Sequence, residues 1–193
     1  PSLLSEQQQI VSFLDDKTQK IDSLILQKEK KIELLKEKRT SLINHVVTKG
    51  IDSNVEMKDS GVEWIGEIPS DWIMSKFKLH TSEGVFTSGG YLVRFNFRNY
   101  FESKFIFYLS KTHFYWDWIK LNTVVSTIEN VNGDKYQNFI YPKPPLNEQQ
   151  QIVEYLDKQT EEIDTLIQLE QKKIDTLKEY RQSLISEVVT GKI

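Results

Sequence analysis

The chain has 193 residues, a formal net charge of −3 and no cysteine. That length allows one domain plus long helices, or two small domains. The missing cysteines exclude disulfides and thiolate metal sites, and they suit a reducing cytoplasm. The apolar runs are only a few residues long, too short to span a bilayer, and no basic-then-apolar leader opens the chain.

Pro1 stands in text that resembles the lead-in to a helix, so the natural start is expected upstream. Ser5 is the expected N-cap, with Gln8 completing a capping-box pattern. Spacings of 4 and 3 then alternate through Leu14, Thr18, Ile21, Ile25, Lys28, Ile32, Leu35, Arg39, Leu42 and Val46. This is a heptad seam. No Pro or Gly interrupts it before Gly50, the natural stop. At about 1.5 Å per residue the pattern predicts a helix of roughly 60 Å.

Residues 52–61 read as a polar connector. Residues 62–72 place two tryptophans around a Pro-Ser-Asp turn, an expected hydrophobic plug for the first strand. Strand-type alternation follows in 73–79 and 84–97, with Gly89 and Gly90 as a turn signal. Residues 101–121 read as one helix in which Phe105, Tyr108, Leu109, Trp116 and Ile119 share a buried face. Residues 122–133 are β-branched, then turn-like. Phe139, Ile140 and Tyr141 form a short strand that Pro142 ends. Pro144 and Pro145 close this middle segment, and Asn147 is the expected cap of a second long helix. A small α+β domain holding all four tryptophans thus lies between two helices.

The two helices are one text written twice. Residues 6–51 lie on residues 148–193 at a shift of 142 positions, with about 27 of 46 pairs identical. The second seam runs through Leu156, Thr160, Ile163, Ile167, Glu170, Ile174, Leu177, Arg181, Leu184 and Val188. Antiparallel pairing with Lys28 facing Glu170 sets Arg39 near Thr160 and Arg181 near Thr18. A parallel pair would oppose Arg39 and Arg181, and like charges at a packed seam are costly. Since one heptad helix cannot bury its stripe alone, the copies are expected to pair antiparallel. Periodicity by itself is also met by a plain dimerisation helix.

No catalytic constellation is visible. His45, His80 and His113 have no metal-ligand spacing, and Gly89-Gly90 lacks the Lys-Ser/Thr of a phosphate loop. Charge is uneven: residues 72–128 carry seven basic and three acidic side chains, whereas residues 144–193 carry six and ten. The middle is locally basic within an acidic chain.

Two stretches carry a family resemblance. PPLNEQQQIVEYLDKQTEEIDTLI (144–167) resembles the conserved-region signature of the specificity subunits of type I restriction–modification enzymes. WIGEIPSDW (64–72) looks like the opening of a target-recognition domain from that family. The resemblance implies an α+β fold: a small mixed α/β target-recognition domain (52–143) flanked by two long helices (1–51 and 144–193) that pair as an antiparallel coiled coil. It implies a non-catalytic, cytoplasmic subunit that reads part of a bipartite DNA target. The expected partners are double-stranded DNA, modification subunits that bind S-adenosylmethionine, and restriction subunits. No cofactor, metal or membrane is expected for the chain itself. The middle domain is shorter than the family pattern, and the family places a further recognition domain before residue 5. A homodimerising half-subunit and a scaffold that no longer binds DNA are the alternatives.

Within the basic window, Lys76, Lys78, Arg94, Arg98, Lys104, Lys111 and Lys120 are candidates to hold phosphates, a salt-sensitive role that carries no sequence information. Asn122, Thr123 and Ser126 stand where the family places a DNA-facing loop. Their side chains, with Arg94 or Arg98, have the donors and acceptors to read base edges.

Overall fold

The computed structural model describes residues 4–77, 99–123 and 133–191. Two long helices, α1 (Leu4–Lys49) and α5 (Leu146–Val189), enclose the rest of the chain in sequence. Between them come β1 (Met57–Asp59), β2 (Glu67–Pro69), β3 (Ile73–Lys76), α2 (Tyr100–Leu109), α3 (His113–Asn122), α4 (Gly133–Tyr136) and β4 (Ile140–Lys143). The fold is α+β, as the pattern predicts. The expected caps fall one residue inside their helices. Ser5 and Asn147 both lie in the first turn, and α5 starts with the Gln149 amide bonded to Pro145 O at 2.9 Å. The Gln149 side chain secures that start by donating to Pro144 O at 2.8 Å. Gly50 does end α1: its φ is +80° and its N–H reaches Val46 O at 3.0 Å.

The chain forms two compact units. The first holds Pro1–Arg39 and Thr160–Ile193. Here Asp22, Lys28 and Arg39 of α1 meet Arg181, Glu170 and Asp164 of α5 respectively. Numbers rise on one helix as they fall on the other, so the pair is antiparallel. Ile21, Ile25, Ile32, Ile163 and Ile174 are buried along the seam, and Leu35, Ile167 and Leu177 are half-buried. At its middle, Glu170 is only 3% exposed and accepts from Lys28 (3.0 Å), Lys31 (2.9 Å) and Lys173 (3.0 Å). Hydrogen bonds from Lys31, Lys173 and Lys28 hold its carboxyl well below the ordinary value, at about 2.

The arginines find partners that the seam alone did not name. Arg181 forks onto Asp22 with contacts of 2.9 and 3.2 Å, and Arg39 Nε lies 3.1 Å from Asp164. Each aspartate sits four residues beyond the threonine named from the seam. A carboxylate one turn away takes the guanidinium in a charge-assisted contact that a hydroxyl cannot match. The Thr18 hydroxyl instead donates to Leu14 O of its own helix at 2.7 Å. The shift of 142 turns Asp22 and Arg39 into Asp164 and Arg181. The two ion pairs are therefore one interaction built twice, and this unit has a pseudo-two-fold axis.

The second unit is Thr40–Gln159. Two small antiparallel sheets form it: β1 on β2, with Lys58 opposite Ile68, and β3 on β4, with Ser75 opposite Tyr141. Pro142 does not end its strand. It lies inside β4 opposite Met74, where β3 is the strand paired with β4 among the described residues, and an edge strand tolerates a missing N–H. The single helix expected over 101–121 is two helices. Thr112, fully buried, caps α3 by accepting from Tyr115 N, and its hydroxyl donates to Leu109 O at 2.6 Å. That break turns Trp116 out of the shared buried face, and it is 53% exposed. The β1 strand also lies within the expected connector 52–61. The second expected strand (84–97) lies outside the described residues.

Helix ends complete this unit's core. Ile43, Val46 and Val47 of α1 and Ile152, Val153 and Leu156 of α5 cluster with Ile68, Trp72, Phe105, Leu109 and Phe139. The Trp72 indole donates to Glu148 Oε2 at 2.7 Å. Burial raises the Glu148 carboxyl above its ordinary value while the indole bond opposes that rise. A Cβ at Gly50 would meet Glu148 Oε1 at 3.2 Å, so both conformation and space call for glycine there.

Two outcomes follow from these contacts. Because the folded Glu170 value lies below the ordinary 4.5, its stabilising contribution is complete above about pH 4.5 and is lost as pH falls toward 2. Thermal melts between pH 5 and 2 should show Glu170→Gln less stable at pH 5 and with a flatter acid decline than the parent. Trp72→Phe removes the donor to a half-buried carboxylate and should cost about 1–3 kcal/mol in urea denaturation.

Candidate nucleic-acid interface

The basic candidates that the structure describes fall on three elements. On α2, the Asn99 side chain caps the first turn by accepting from Glu102 N at 2.8 Å. The helix buries Phe105, Ile106, Tyr108 and Leu109 and turns Tyr100 and Phe107 outward. Lys104 and Lys111 flank that outer face, at 5.8 and 4.8 Å from the Phe107 ring centre. They are not equivalent. Lys104 Nζ lies 3.2 Å from Asp157 of α5, and that hydrogen bond holds its ammonium above the ordinary lysine value. Tyr108 OH donates to the same Asp157 oxygen at 2.5 Å. Lys111 is exposed, its ammonium resting on an aromatic face in a cation–π contact.

On α3, Lys120 closes the last turn, 77% exposed, with Asp117 3.7 Å away. Next to it, Asn122 and Thr123 spend donors on the helix end. Asn122 Nδ2 reaches Trp118 O at 2.9 Å, and the Thr123 hydroxyl reaches Ile119 O at 2.7 Å. The Lys135 ammonium donates to the Asn122 backbone carbonyl. A side-chain amide carries an acceptor oxygen beside its donors, so Asn122 keeps acceptor capacity at this helix end. Lys76 is the exposed last residue of β3. Lys78, Arg94, Arg98 and Ser126 lie outside the described residues.

The structure thus brings Lys104 of α2 and Lys111 of the turn after it to the Phe107 ring, and Lys120, Asn122 and Thr123 together at the end of α3. Sequence reasoning missed the aromatics beside them. Trp116 (53% exposed), Tyr100 (61%) and Phe107 (48%) present flat apolar surface next to lysines. The signal was present in the 100/104/107 spacing, which puts Tyr100, Lys104 and Phe107 on one face of α2. Of the histidines, His113 shares a hydrogen bond of 2.9 Å with Asn44, a helix-to-helix tie. Among the described residues, no group of three or more His, Asp and Glu side chains is placed to hold a metal ion. No helix among them is long and apolar enough to cross a membrane.

Comparison with known proteins bears on this arrangement. No curated protein shows a significant match to the chain. The family model of the type I restriction modification DNA specificity domain matches residues 74–179, which include α2, α3, β4 and most of α5. Since the match covers more than half of the sequence, the chain belongs to the type I restriction–modification DNA specificity family, and its role lies in DNA specificity.

Proposed function

We propose that the chain is a non-catalytic specificity subunit that reads part of a bipartite DNA target. Residues 52–143 are its target-recognition domain. Residues 1–51 and 144–193 are the conserved helices that set the distance to a second recognition domain and dock modification subunits. Those subunits bind S-adenosylmethionine and methylate the DNA, restriction subunits join the same complex, and the assembly works in the cytoplasm.

One observation carries the bipartite part of this reading. The ion pairs Asp22–Arg181 and Asp164–Arg39 are related by the 142-residue repeat, so the helix pair has two matching halves. A two-fold spacer is what a reader of two half-sites needs, because DNA half-sites at a set spacing demand reading surfaces at a set spacing. The exposed Lys111 and Lys120 supply phosphate contacts, with Lys76, Lys78, Arg94 and Arg98 as further candidates. Lys104 contributes less, being tied to Asp157. Asn122, Thr123 and Ser126 are the proposed base readers.

Electrophoretic shift with the modification subunit present, over a range of salt concentrations, tests this. Replacing Lys111 and Lys120 by alanine should weaken binding equally on target and non-target DNA. The slope of log affinity against log salt should fall by about 0.9 for each phosphate no longer neutralised. Asn122→Ala should leave that slope unchanged and reduce discrimination at one base pair by roughly 1–3 kcal/mol. If the complex shows no sequence-selective binding at any salt concentration, the reading fails and a scaffold role replaces it. A mass of two chains per complex would favour the half-subunit alternative.

A further inference from the structure

The two helix seams are nearly one seam. Of the ten seam positions in each copy, nine carry the same residue, and the tenth is Lys28 in α1 and Glu170 in α5. The ion pairs on either side share this identity. Asp22–Arg181 and Arg39–Asp164 are the same contact 142 positions apart. Two copies of α1 set face to face in this arrangement would keep both contacts, as Asp22–Arg39 twice over. Two copies of α5 would keep them as Asp164–Arg181. Isoleucines would meet isoleucines in every case. Neither the flanking charges nor the apolar stripe tells an unlike helix from a like one.

The centre does. In the observed pair Glu170 is only 3% exposed and takes Lys28 at 3.0 Å, Lys31 at 2.9 Å and Lys173 at 3.0 Å. Lys31 and Lys173 are counterparts in the repeat, so the difference rests on the 28/170 position. Two α1 helices would gather Lys28 and Lys31 from both copies with no seam carboxylate among them. Two α5 helices would set Glu170 against Glu170 and lose the Lys28 donor. A charge held in a packed seam without its counter-charge is strongly destabilising. Slipping a like pair by one heptad gives no escape. It parts Asp22 from Arg39 and sets Lys28 against Ile21 or Leu35.

We propose that Lys28 and Glu170 select the partner of each helix: the α1 seam accepts α5 and refuses a second α1, and the α5 seam accepts α1 and refuses a second α5. A single polar position in an otherwise uniform seam can set helix choice, and it does so through the pairings it penalises. The assignment holds whatever residues 52–143 recognise. It also dictates how two copies of this chain can associate through these helices. They must exchange, with α1 of one copy on α5 of the other, and never α1 on α1.

Charge exchange in the full chain tests this. Lys28→Glu gives both seams an acid at the selecting position, and Glu170→Lys gives both a lysine. Each variant alone should melt about 5 °C or more below the parent. Lys28→Glu combined with Glu170→Lys should recover most of that loss. By the repeat, the acid introduced at 28 then meets Lys31 on its own helix, and Lys173 and the introduced lysine across the seam. The two single variants are next mixed in equal amounts, one of them isotope-labelled, and native mass spectrometry counts the chains. Two-chain species holding one copy of each variant should outnumber those formed by either variant with itself by about ten-fold or more. Mixed species no more frequent than self-pairs overturn the proposal. So does a double variant that melts no higher than the single ones. Loss of fold in the separate single variants leaves the test intact, because mixing must then restore helical circular dichroism, and a mixture that stays unfolded also overturns the proposal.

Discussion

A long heptad helix cannot keep its apolar stripe in water, and everything else in this protein depends on that constraint. The 46-residue α1 and the 44-residue α5 each need a partner, and each is the other's. Their seam tolerates one buried acid, Glu170, because three lysines supply donors to both carboxylate oxygens. An uncompensated charge there would cost more than the flanking isoleucines could offset. The same position is Lys28 in the first copy, so the repeat's symmetry breaks where two glutamates would otherwise face each other across the seam.

The pairing has a second consequence. With α1 and α5 both entering the unit Thr40–Gln159, their ends become walls for the segment between them. Among the described residues the two sheets there have two strands each, and a two-stranded sheet is marginal alone in water. They persist because Val47, Ile152, Val153 and Leu156 close their core. Glu148 then ties the helix to the domain through the Trp72 indole. The last turns of α1 and the first turns of α5 are thereby part of this unit's core.

Much of this was legible in the residues. The repeat, the Gly50 stop, the antiparallel sense and the Lys28–Glu170 contact all followed from spacing and charge. The misses share a cause: each depended on a competition between nearby groups that periodicity does not weigh. Thr112 broke a helix that the apolar spacing carried straight through, because its hydroxyl caps a new first turn. Trp116 consequently faced outward. Asp22 and Asp164 took the arginines because they lie one turn from the seam, where a seam-only reading does not look. Of the candidate DNA contacts, Lys104 proved to be bonded to Asp157, a partner 53 residues away that no local window contains.

By itself, the sequence determined the two helices, their need for one another and the sense in which they run, because heptad spacing and seam charge are local and additive. It also carried, at 144–167, text that lies within the residues the family model matches. Only the tertiary structure decided which carboxylate each cation meets, which aromatics are core and which are surface, and where the exposed lysines stand. Those outcomes depend on distances between residues far apart in the chain, and packing sets such distances, whereas pattern does not.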